Sequence, residues 1–209
     1  MIMKITAQKG RGNKVHILID GEYKMTVTSD FWISQDIRSD DEIDDEEFAA
    51  FQKAASSDRA FNAAVNILSH RDHSSKELIR KVSRKCDSDA AHEAVERLEN
   101  MGYLDDERYA QSLAQELFER KGMGLRRIEQ ELCRRGVSRE TARECVENIE
   151  CDNVSRIVDL LQTKFAGRFE DEKGRKRTFA ALTRLGYGYS DIMSAMRRLG
   201  EDSFEDDYS

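Results

Sequence analysis

A chain of 209 residues, 39% hydrophobic and 36% charged, can bury a real core but contains no apolar run of the roughly 20 residues that cross a bilayer. Met1–Thr6 lacks the apolar stretch of a signal peptide, and Cys86, Cys133, Cys145 and Cys151 show no framework spacing, so a cytoplasmic protein with reduced thiols is expected. The net charge of −7 argues against a simple DNA binder, but the acid is concentrated at the ends: residues 1–57 hold 7 Lys/Arg against 11 Asp/Glu, whereas 152–200 hold 10 against 6.

Residues 1–57 read as a small β unit and an acidic linker. Val15–Ile19 and Tyr23–Val27 are short, β-branched runs joined by Asp20-Gly21, the dipeptide of a type I′ hairpin. Met3–Gln8 is a candidate third strand beyond the Gly10–Asn13 break. A lone hairpin is marginal in water, so the sheet is expected to lean on Phe31, Trp32 or the first helices. Residues 34–47 predict a turn and a short helix around Ile43, Phe48 and Phe51.

From residue 58 the periodicity is helical throughout, and proline is absent. Residues 58–104 predict three helices: one with Phe61, Ala64, Val65 and Leu68 on one face, one opened by a Ser74–Glu77 capping box, and one capped by Ser88 and closed by Gly102. Residues 105–151 repeat the order. Asp105 and Asp106 open the first helix, Gly122 and Gly124 break it, Ile128 and Leu132 mark the second, and Ser138 caps the third. In 152–200 the stripes are Val154, Ile157, Val158, Leu161 and Phe165, then Phe179 and Leu182, then Ile192, Ala195, Met196 and Leu199. A longer loop is expected at Gly167–Gly174, and Ser190 is expected near the last helix start. Residues 201–209 form an acidic tail expected to be disordered and solubilising.

The junctions between second and third helices fall at residues 86, 136 and 186, a constant interval of 50. Such an interval marks stacked helical repeats. The fold class is therefore mainly α, with tandem three-helix units in a curved, elongated solenoid behind a small N-terminal sheet. Cys86 stands where the other two junctions have glycine, so that turn is expected to be looser or to force a left-handed residue.

Met101–Ala110, Lys121-Gly122 and Arg127–Val137, together with Ser74–Leu78, resemble the RecX family. The resemblance implies tandem three-helix units, and a monomer that binds the groove of the RecA–DNA filament. It further implies lowered ATPase and strand-exchange activity in recombination, DNA repair and the SOS response. Weak binding of single- or double-stranded DNA is left open.

The basic clusters Arg126/Arg127, Arg134/Arg135, Arg175/Lys176/Arg177 and Arg197/Arg198 are the candidate partner-binding residues, and Arg80/Lys81/Arg84/Lys85 is a further cluster. A charge run is usually only a solvated helix face. In register, however, such clusters could line one side of a solenoid and meet an acidic filament surface or its phosphates. Residues 136–141 also match the turn of a DNA-reading helix-turn-helix, and that alternative stays open. The would-be reading helix carries Glu140, Glu144 and Glu147, which phosphates would repel. His70, His73, Cys86 and His92 follow no zinc spacing, and no triad or phosphate-cradling loop appears. Neither metal, cofactor nor catalysis is expected.

Overall fold

A computed structural model describes residues 1–168 and 171–199; the acidic tail 201–209 lies outside the described residues. The chain divides into two units, Met1–Leu104 and the part from Asp105 onward.

The first unit begins with β1 (Met3–Lys9), β2 (Lys14–Ile19) and β3 (Glu22–Thr28), followed by α1 (Ser29–Ser34) and β4 (Glu42–Ile43). These strands make an antiparallel sheet in the order β3-β2-β1-β4. Asp20 and Gly21 both take positive φ, 50° and 82°, as a type I′ turn requires. Alternation puts Met3, Ile5, Val15, Ile17, Ile19 and Val27 on one buried face, against which Phe31, Trp32 and Phe51 pack. Phe51 lies 5.6 Å from the Phe31 ring and 6.0 Å from the Trp32 ring.

The acidic linker departs from its expected form. Ile43 is a strand residue, paired with Met3, and the next helix is long rather than short. This helix, α2 (Asp45–Leu68), runs 24 residues and merges the linker with the first helix of the helical region. The cause is local. Asp44 accepts from the Glu46 and Glu47 N–H groups, Glu47 returns a carboxylate to the Asp44 N–H, and no glycine or proline interrupts residues 45–68.

Next come α3 (Ser75–Val82) and α4 (Ser88–Asn100), whose Leu78, Val82, Ala91, Ala94, Val95 and Leu98 close on Ala60 and Ala64 of α2. Ser74 caps α3 by accepting from the Glu77 N–H. The cap of α4 is Asp87, not Ser88, because Asp87 is extended and its carboxylate accepts from the Asp89 and Ala90 N–H groups. The α3–α4 link needs no left-handed residue. Lys85 and Cys86 both donate to the Val82 carbonyl, and among the described residues only Asp20 and Asp40 are non-glycines with positive φ.

The second unit comprises α5 (Asp106–Glu119), α6 (Leu125–Arg134), α7 (Arg139–Glu147), α8 (Asn153–Gln162), α9 (Glu172–Arg184) and α10 (Tyr189–Arg198). Tyr109, Leu113, Leu117, Ile128, Leu132, Val137 and Ala142 form one core; Ile157, Leu161, Leu182, Tyr187, Ile192 and Met196 form another. The two second-to-third-helix turns are built alike. Gly136 and Gly186 take φ of 96° and 98°, and the next residue, Val137 or Tyr187, sends its N–H back to Leu132 or Leu182. Two expected boundaries shift. Asp171 caps α9 by accepting from Gly174 N–H, so Gly174 lies inside the helix rather than in a loop. The cap of α10 is Gly188, with Ser190 already helical.

The two cores of this unit meet through backbone. Gly124 N–H donates to the Leu185 carbonyl at 2.8 Å, and a Cβ on Gly186 would stand 2.5 Å from the Arg127 Cβ. Gly186→Ala should therefore cost about 2–4 kcal/mol, from left-handed strain plus the clash. Gly102→Ala, left-handed but facing open space, should cost only about 1–2 kcal/mol. Urea-unfolding midpoints compare them, and a Gly186→Ala midpoint no lower than that of Gly102→Ala would contradict this close approach.

Candidate partner-binding faces

All nine candidate residues lie in the second unit, on three helices or their last turns. In α6 the apolar positions Ile128 and Leu132 face inward, which turns Arg126 and Arg127 out to solvent. The approach to Gly186 sets the first turn of α6 against the α9–α10 turn. Arg184, the last residue of α9 and also exposed, ends two residues before that glycine. Arg184 is not among the sequence-predicted residues, although its spacing before a junction glycine is a visible signal.

Arg134 and Arg135 have a different environment. Glu131, on the inward side of α6, is only 7% exposed. Arg134 donates to it through Nε and Nη2 at 2.9 and 2.6 Å, and Arg135 through Nε at 3.3 Å. Hydrogen bonds from Arg134, reinforced by the charge of both arginines, hold the Glu131 carboxyl below the usual carboxylate range despite its burial. These two cations serve first to keep a buried carboxylate ionised. The i,i+3 and i,i+4 spacings are legible in sequence, but a glutamate on an amphipathic helix reads by default as surface.

Arg175, Lys176 and Arg177 lie within α9 rather than beside a loop. Thr178 and Leu182 turn inward, Lys176 and Arg177 are exposed, and Arg175 is half-buried. Lys176 pairs with Glu172 one turn earlier at 2.8 Å. Arg197 and Arg198 end α10, where cations complement the carbonyl end of a helix. Arg198 also donates to the Ser155 hydroxyl near the start of α8 at 3.0 Å.

The would-be reading helix α7 exposes Arg139, Glu140, Arg143, Glu144 and Glu147, and Arg143 is paired with Glu147 at 2.9 Å. Its outer face is acid-rich, with one of its two arginines already paired. Of the histidines, His73 is buried with Nδ1 on the Arg71 carbonyl and Nε2 on the Lys81 ammonium, and His92 meets the Ser88 carbonyl. Among the described residues no three His, Cys, Asp or Glu side chains cluster as a metal site, and no helix is long and apolar enough to cross a membrane.

Loss of the buried carboxylate gives a direct test of this arrangement. A carboxyl held below its unfolded value contributes stability that is complete above the ordinary glutamate range and is lost as pH falls through the depressed value. Glu131→Gln should therefore destabilise the protein by about 1–3 kcal/mol at pH 7. The deficit relative to the unsubstituted chain should shrink on acidification, as followed by urea unfolding at several pH values. A pH-independent deficit would mean that packing, not charge, is what Glu131 supplies.

Residues 60–98 match the family model for the RecX first three-helix domain, and residues 105–146 match that for the RecX second three-helix domain. The regulatory protein RecX of Clostridioides difficile is 26% identical over 202 residues, covering 95% of each chain. That of Halorhodospira halophila is 31% identical over 153 residues, covering 72% of this chain and 94% of the relative. A crystal structure of regulatory protein RecX aligns with a TM-score of 0.63 at 18% identity, over 94% of this chain and 98% of that one. RecX from Lactobacillus salivarius aligns at 0.57 and 22% identity, over 70% and 98%. With its paired three-helix domains, its fold and a relative above 30% identity spanned almost end to end, the chain belongs to the RecX family of regulatory proteins.

Proposed function

We propose that this protein binds RecA nucleoprotein filaments as a monomer in the cytoplasm and lowers their ATPase and strand-exchange activity. Membership of the RecX family supports the partner. One observation supports the place of contact: α6, α9 and α10 of a single unit carry exposed cations, Arg126, Arg127, Lys176, Arg177, Arg197 and Arg198. Several modest cationic contacts to a repeating partner add through effective concentration, so no single strong patch is needed. Arg134 and Arg135 are secondary members of the surface, since Glu131 already holds them.

Sequence-specific reading of free DNA is the weaker assignment. A helix placed in the major groove must bring donors to base edges and cations to phosphates. The outer face of α7 offers three glutamates and two arginines, one of which is already paired.

ATP hydrolysis by RecA on single-stranded DNA, titrated with this protein, tests the proposal. Inhibition is expected at fewer than one copy per RecA protomer. Lys176→Glu with Arg177→Glu should raise the half-inhibiting concentration by about tenfold or more, since two cation contacts become repulsive, with helix content by circular dichroism unchanged. Undiminished inhibition by that variant would remove α9 from the contact surface. No effect of the unsubstituted chain on RecA would sink the assignment itself.

A further inference from the structure

Inside the first unit, β3, α2 and the 83–87 link between α3 and α4 surround a cavity of about 320 Å³. Three cations line it: Arg59 from α2, and Arg84 and Lys85 from the link. All three are exposed, and among the described residues none has an ion-pair partner. Asp87 is the one carboxylate in the lining, and its Oδ1 is occupied in capping α4. A second feature points the same way. The Ser83 hydroxyl, also in the lining, is buried without a hydrogen-bond partner, a costly state unless something is there to satisfy it.

We propose that this cavity is a phosphate-binding site, taking either the phosphodiester backbone of a nucleic-acid strand or a free polyphosphate. Two guanidinium groups, an ammonium and a hydroxyl lining one cavity from two elements provide more donors than a single carboxylate can use. A phosphate group, with its several charged oxygens, uses them all. The space is at the small end of ligand pockets and suits one or two phosphates rather than a whole nucleotide. No aromatic ring lines it, so there is nothing on which a base would stack, and recognition rests on phosphate alone. The site is built from residues of the first unit alone and does not depend on the RecA assignment.

Calorimetric titration of the full chain at low salt, with inorganic pyrophosphate and separately with a short oligodeoxythymidylate, tests the site. Saturable binding of at least one probe is expected. Arg59→Gln, Arg84→Gln and Lys85→Gln combined should weaken it by about tenfold or more, and Ser83→Ala alone by a few-fold. Tighter binding of the oligonucleotide supports the strand as source, and tighter binding of pyrophosphate supports a free polyphosphate. Arg143→Gln on α7, which belongs neither to this cavity nor to the filament face, should bind both probes like the unsubstituted chain. The proposal is overturned by unchanged binding in the triple variant, by no saturable binding of either probe, or by a polyglutamate peptide binding as tightly.

Discussion

Ending α5 is the constraint on which the second unit depends. A helix leaves its last carbonyls without intrahelical partners, and water or other parts of the chain must satisfy them. Here the third helical set supplies the partners. Arg156 of α8 donates to the Phe118 and Glu119 carbonyls at 3.0 and 3.4 Å, with its guanidinium over the Phe118 ring. Lys164 donates to the Lys121 carbonyl, and the Tyr187 hydroxyl to that of Gly122. Burial pushes the Tyr187 phenol up to about 12. These are directional bonds from one helical set to the end of another. They tie α8 and the turn before α10 to the end of α5 more directionally than apolar contact would, and the close contact of Gly124 with Gly186 and Tyr187 lies beside them.

The same physics separates two kinds of basic residue that look alike in sequence. Glu77 of α3 is 6% exposed and is held by Arg71 at 2.7 Å and Lys81 at 3.2 Å. Burial alone would raise its pKa, but the two cations outweigh burial and keep it below the usual range. Glu131 repeats the device with Arg134 and Arg135. In both cases desolvating a carboxylate commits neighbouring cations to it, and those cations are less available to a partner than their number suggests. The net charge of a cluster is therefore a poor guide to its binding strength until the buried acids beneath it are known.

How much the sequence discloses depends on how local each determinant is. The helices from 58 onward are legible because their cores are thin and one-sided, so the 3.6-residue stripe is strong. Gly136 and Gly186 mark turns that need positive φ, and Asp20-Gly21 marks the hairpin. The elements that sequence misplaces depend on partners distant along the chain or on caps that outweigh composition. Two residues of β4 exist only because Met3 pairs with Ile43. The acidic run reads as a linker, yet its Asp44 and Glu47 are the start signal of the longest helix. Gly174 reads as a break, but the Asp171 cap carries the helix through it. Of the candidate site, the outward direction of Arg126 and Arg127 is readable from Ile128 and Leu132. The bridging role of Arg156 is not, because its acceptors lie 38 and 37 residues away.

The long α2 explains how a four-stranded sheet and a three-helix core can share one unit. Phe51 and Ala55 belong to the sheet's core, and Ala60 and Ala64 to that of α3 and α4. Nine residues separate Phe51 from Ala60, which at about 100° per residue is two and a half turns, so the two pairs occupy opposite faces of the helix. One helix thus changes partners midway. Around that crossover neither core fully covers it, and Ser56 and Arg59 are left lining the cavity against Ser83, Arg84 and Lys85. Filling the gap with apolar side chains would be the simplest way to stabilise the unit. The sequence places cations and an unpartnered hydroxyl there instead, so the gap is polar by composition, and its chemistry is that of a site rather than of a packing defect.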